Sequence, residues 1–82
     1  MTTDTARSAV ISQLSRIAPE ADLSSVDPTS DLRREIDLDS LDFLALIEAL
    51  ATSTGVSVPE SDYDQVRSLD ALVAYLASHG AR

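Results

Sequence analysis

Cysteine and lysine are both absent from this 82-residue chain, and glycine occurs only twice. Without cysteine there is no disulfide framework and no thiolate metal site. Two glycines are too few for a glycine-rich phosphate loop. The six basic residues, all arginine, face fourteen acidic ones, for a formal net charge of −8. Such a balance argues against nucleic acid, which needs a basic footprint, and against an anionic membrane surface. Excess negative charge either keeps a small protein soluble or steers it to basic partners, and charge alone does not choose. No apolar run is long enough for stable membrane insertion, and residues 1–9 are polar rather than a targeting segment. These absences set the expectation of an intracellular, cytoplasmic monomer.

Length predicts one domain, residues 1–82, with its core at about 4–79. Three apolar-faced helices and one short one are legible. The first spans roughly Asp4 to Ala18, with Val10, Ile11, Leu14 and Ile17 at helical spacing, Asp4 or Thr5 as cap, and Pro19 as stop. A long connection, about Pro19 to Asp39, is rich in Asp and Ser, and a short helical turn near Asp22–Val26 is expected within it. Its scattered Leu23, Val26, Leu32, Ile36 and Leu38 should tie it to the helices. The second helix, Ser40 to about Ser53, has Asp39 as cap, Asp42 in the manner of a capping box, and Gly55 as its C-cap. It is apolar nearly all round, so part of its surface can face a partner. A short element from Pro59 to Tyr63 or Gln65 follows, with Pro59 in its first turn. The last helix runs from Ser68 to His79, and the final HGAR reads as a frayed tail. The fold class is therefore all-α, a small four-helix bundle.

Catalysis has little to work with. His79 is the only histidine, and it lies near the C-terminal end rather than in a fixed constellation. Asp37, Asp39 and Asp42 cluster, but the spacing, central glycine and closing glutamate of a calcium loop are missing, so no dedicated metal site is expected. Ser40 is different. It opens a strongly apolar helix, where unpaired N–H groups and the positive end of the helix welcome an anion. With no base nearby, it is poorly placed as a nucleophile. Read from the residues alone, Ser40 is either a serine modified by another protein or an ordinary helix-start residue.

The run Asp39-Ser40-Leu41, within IDLDSLDFLALI, resembles the attachment motif of acyl carrier proteins. The likeness extends through the apolar first helix, the loop with Leu32 and Ile36, Val58-Pro59-Glu60, and the stretch from Leu69 to Leu76. This resemblance implies a carrier rather than an enzyme. A phosphopantetheinyl transferase would attach 4'-phosphopantetheine, drawn from coenzyme A, to Ser40. The arm's thiol would then hold acyl intermediates as thioesters in fatty acid, specialised lipid or polyketide-type biosynthesis. It further implies recognition by acyl-transferring, condensing or acyl-ligase enzymes with basic docking surfaces. Asp39, Leu41, Asp42 and Glu48 would serve in that recognition, with Glu60 and Asp64 beyond them, and Leu44, Leu50, Val66, Leu72 and Leu76 are candidates to line an acyl chain. Three departures stand out. Asp37 occupies a place where fatty-acid-synthesis members often carry glycine. Ala45 and Ala51 stand where they often carry glutamate. Arg33 and Arg34 add positive charge upstream of Ser40. These departures point to a specialised pathway. An aminoacyl or peptidyl carrier, and a helical interaction module that carries nothing, are the competing readings.

Overall fold

The computed structural model describes residues 1–80, and Ala81 and Arg82 of the expected frayed tail lie outside them. Four α-helices follow one another: α1 (Thr3–Ile17), α2 (Leu32–Glu35), α3 (Ser40–Thr54) and α4 (Leu69–His79). Two 3-10 turns, Leu23–Ser25 and Glu60–Gln65, interrupt the connections. Helix α1 packs against both α3 and α4. No strand forms among the described residues, only an isolated bridge between Asp31 and Ser68.

Each long helix starts where a side chain satisfies an orphan N–H. For α1 the cap is Thr2, which accepts from the Thr5 N–H, so the expected caps Asp4 and Thr5 both fall inside the helix. Asp39 caps α3 through the Asp42 N–H at 2.8 Å. Ser68 caps α4 through the Ala71 N–H at 3.0 Å. Pro59 immediately precedes the second 3-10 turn rather than sitting within its first turn. Gly55 closes α3 with φ 76°, a backbone that glycine adopts without a steric penalty.

The core is purely apolar. Ala6, Val10 and Leu14 of α1 meet Phe43, Leu46, Ile47 and Leu50 of α3, and Leu69, Leu72, Val73, Tyr75 and Leu76 of α4. Each fully buried leucine contributes roughly 1.5–3 kcal/mol relative to exposure. Val56, Val58 and Val66 bury as well, drawing the α3–α4 connection inward. The Tyr75 hydroxyl donates to Asp62 at 2.7 Å, fastening the second 3-10 turn to α4. That bond, above all, raises the Tyr75 pKa above its ordinary value.

The long connection is structured rather than loose. Asp22 caps the first 3-10 turn and also accepts from the Ser24 and Ser25 hydroxyls. Asp27 accepts from the Thr29 N–H and hydroxyl. Leu32 is fully buried, its N–H donates to the Arg67 carbonyl at 2.7 Å, and the Asp70 N–H donates back to Pro28 at 2.9 Å. Helix α2 was not expected. A single turn of LRRE is too short to be stable by itself, and it forms because Leu32 is buried and Asp31 caps it.

Helix α2 ends in a reversal. The Leu38 N–H bonds back to the Arg33 carbonyl at 2.9 Å, and Asp37 between them takes φ 56°. This is the Schellman form of helix ending, in which a left-handed residue precedes an apolar one that turns inward. Leu38 is that residue, and it is buried. A position that favours glycine is here held by aspartate, one of the few side chains that tolerate the left-handed region.

Two outcomes follow from this connection. Relief of strain at Asp37→Gly is offset by glycine's extra freedom in the unfolded chain, so stability should stay within about 0.5 kcal/mol of wild type. Asp37→Val should cost about 1–2 kcal/mol in urea unfolding. Equal stability of the two variants would contradict the left-handed assignment. Asp22 and Asp27 are held below the ordinary carboxylate value, foremost by the Ser24 and Thr29 hydroxyls respectively. Their contribution is therefore complete at neutral pH and is lost as pH falls below the ordinary carboxylate range through their lowered values. Asp22→Asn with Asp27→Asn should flatten that acid limb of the urea midpoint, and an unchanged slope would count against it.

Candidate functional site

Ser40 is the first residue of α3 and is exposed. Its placement follows from the chain before it. Leu38 is fixed in the core, so Asp39 emerges at the surface with extended backbone and caps the helix that Ser40 begins. The Asp42 N–H is taken by the Asp39 carboxylate and the Phe43 N–H by the Asp39 carbonyl. The Ser40 and Leu41 N–H groups have no intrahelical acceptor, as helix geometry requires. Only one half of the expected capping box is present: Asp42 lends its N–H to Asp39, and no return bond from its side chain accompanies it.

A basic side chain meets the serine. Arg33 Nη2 donates to Ser40 Oγ at 3.0 Å. The same guanidinium lies over the Phe43 ring, 6.0 Å from its centroid, and Phe43 makes an edge-to-face pair with Tyr63 at 5.6 Å. In the sequence Arg33 is no more than positive charge near the site. The helical turn that aims it at Ser40 gave no signal of its own.

The remaining candidates divide into two groups. Asp39, Leu41, Glu48, Glu60 and Asp64 are exposed, and Asp42 is partly so. Asp39, Leu41 and Asp42 belong to the cap and first turn of α3 and Glu48 to the middle of that helix, whereas Glu60 and Asp64 belong to the second 3-10 turn. Asp64 pairs with Arg67 at 3.0 Å. Among the apolar candidates, Leu50, Val66, Leu72 and Leu76 are wholly buried and belong to one core. Leu44 is not with them. It is 39% exposed, one turn beyond Leu41, which is 76% exposed, so the two form an apolar strip on the outer face of α3. An all-apolar helix hides which of its faces points inward, and only packing against α1 reveals it.

His79 is the last residue of α4. Its ring stacks on Tyr75 at 3.9 Å and its Nδ1 lies 2.9 Å from the Tyr75 carbonyl oxygen. That contact anchors a residue expected to lie in a loose tail, and it is a contact within α4, not with Ser40. Among the described residues, no group of three or more His, Asp or Glu side chains converges to hold a metal ion. No helix among them is long and apolar enough to cross a membrane.

The residues around Ser40 suit an attached anion: an accessible hydroxyl, the positive end of a fifteen-residue helix, and a guanidinium already in contact with the oxygen. Comparison with known proteins bears on what that anion is. A family model described as a phosphopantetheine attachment site matches residues 8–76. The chain is 33% identical over 60 residues to acyl carrier protein 2, mitochondrial, of Arabidopsis thaliana, a span covering 73% of this chain and 48% of that protein. It is 29% identical over 58 residues to an acyl carrier protein of Rubrobacter xylanophilus, covering 71% and 72%. Over 78 residues it is 26% identical to an acyl carrier protein of Helicobacter hepaticus, covering 95% and 96%. The chain thus spans about half the length of the Arabidopsis relative and nearly all of the Helicobacter one.

The cap that positions the serine can be tested separately from any modification. Asp39→Ala should lower stability by about 0.5–2 kcal/mol in urea unfolding, whereas Asp39→Asn, which keeps an acceptor for the Asp42 N–H, should recover most of the loss. Equal losses for both would mean that the carboxylate does not act as a cap.

Proposed function

The chain belongs to the phosphopantetheine-binding carrier proteins, which are not themselves enzymes, and from that premise we propose that Ser40 is the residue that receives the arm. The observation that carries this reading is the exposed Ser40 hydroxyl at the capped start of α3, inside the matched span. The arm, drawn from coenzyme A by a phosphopantetheinyl transferase, supplies the thiol on which acyl groups ride as thioesters. The protein's own residues present and orient it. Asp39 fixes the helix start, the N-terminal turn of α3 favours the phosphodiester, and no neighbouring histidine or lysine activates the serine for attack on its own account.

Partner enzymes then read the surface around Ser40. Asp39, Asp42 and Glu48 flank the exposed Leu41 and Leu44, a pairing of negative charge with a small apolar strip. We assign this face to docking by enzymes with basic surfaces around an apolar recess, since opposite charge speeds encounter and apolar burial holds the complex. Glu60 and Asp64 extend the negative surface. Leu50, Val66, Leu72 and Leu76 are the side chains between which an acyl chain would be sheltered. They are close-packed, so admitting it requires the helices to separate. Acyl intermediates of fatty acid, specialised lipid or polyketide-type synthesis are the cargo class. The small Ala45 and Ala51 on α3, and Arg33 and Arg34 before it, set this surface apart from a uniformly acidic one and favour a specialised set of partners.

Incubation of the full chain with a broad-specificity transferase, coenzyme A and magnesium should add one phosphopantetheine to the intact mass. Ser40→Ala should abolish the gain, and Asp39→Ala should slow it. Failure of wild type with several such transferases, or an undiminished gain in Ser40→Ala, would overturn the reading.

A further inference from the structure

We propose that Arg33 is a positioning residue for the arm: its guanidinium pairs with the phosphodiester on Ser40 and fixes the root of the arm on the α2 side of α3. The proposal rests on Ser40 being the attachment residue. Four observations carry it. Arg33 Nη2 already lies 3.0 Å from Ser40 Oγ, the atom that would become the ester oxygen. An ester there places the phosphorus one bond from an atom Arg33 touches, so the free phosphate oxygens come within reach without movement of α2. Arginine's planar fork matches two such oxygens at once.

Next, the backbone of Arg33 is held at both polar groups. Its N–H donates to Asp31 Oδ1 at 3.0 Å and its carbonyl accepts from Leu38 at 2.9 Å. Leu32 beside it is fully buried. The side chain therefore starts from a fixed turn, and its head rests over Phe43. Third, Arg33 has no ion-pair partner among the described residues, whose two pairs are Arg7–Asp70 and Arg67–Asp64. Fourth, the attached group brings a negative charge to a chain that already carries −8, beside Asp39 and Asp42. Arg33 is the cation placed to offset it at the point of attachment. Arg34, its neighbour, has no contact with Ser40 and serves as the control.

Phosphorus-31 resonances of the holo full-length protein test this, with intact mass confirming the modification in each sample. In wild type the phosphodiester resonance should be displaced from that of the modified tryptic peptide 35–67 in the same buffer, which carries the same serine phosphodiester without Arg33 or the fold. Arg33→Ala should return it most of the way, Arg33→Lys, which keeps the charge and loses the fork, should fall between, and Arg34→Ala should match wild type. Should Arg33→Ala not fold, Arg33→Lys against Arg34→Ala decides on the same terms. Coincident resonances for wild type and the Arg33 variants, or an equal shift from Arg34→Ala, would overturn the assignment while leaving Ser40 as the attachment site. Absence of any mass gain in wild type would instead remove the Ser40 reading and this one with it.

Discussion

Leu32 and Leu38 are both buried, and the chain between them must leave the core and return within six residues. One turn of helix followed by a left-handed residue achieves this, and the site depends on that solution. The turn is α2, the left-handed residue is Asp37, and the bond from Leu38 to Arg33 closes it. Asp39 then leaves the core in the extended conformation of an N-cap, Ser40 opens α3 at the surface, and Arg33 on the preceding turn faces back to the serine. The Leu32–Arg67 and Asp70–Pro28 bonds tie the same segment to the start of α4. The geometry at Ser40 is thus coupled to the packing of the whole bundle, although the serine itself is exposed.

The long helices were legible because each has an apolar stripe and a capping residue. Their ends were less so. Thr2 outcompeted Asp4 and Thr5 as the α1 cap, an ambiguity built into a run of consecutive cap-forming residues. Helix α2 was illegible for a physical reason: a four-residue turn has no periodicity to read, and its stability comes from tertiary burial. Leu44 shows a different limit. On a helix apolar all round, composition cannot say which side meets the core, and packing turned Leu41 and Leu44 outward.

At the site, residue chemistry alone marked Ser40 as a helix start that suits an anion. Family resemblance named the anion, and the match over residues 8–76 supports the family. Asp37 is a case where a departure from the family pattern acquires a structural meaning. Its φ of 56° is the reason glycine is favoured there, and aspartate is a tolerated substitute rather than a lost function. The Arg33–Ser40 contact could not be foreseen, because it joins residues seven apart across a turn the sequence did not announce.

Electrostatics around Ser40 are mixed rather than uniformly acidic. The outer surface of α3 and its cap carries Asp39, Asp42 and Glu48 near the exposed Leu41 and Leu44, while Arg33 reaches the serine from α2. The central claim is that this serine, and no other, bears the arm. Fragmentation of the tryptic peptide 35–67 after transferase treatment tests it most directly, since that peptide also contains Ser53, Ser57 and Ser61. The account predicts that phosphopantetheine localises to Ser40, and its localisation to any other residue would contradict it.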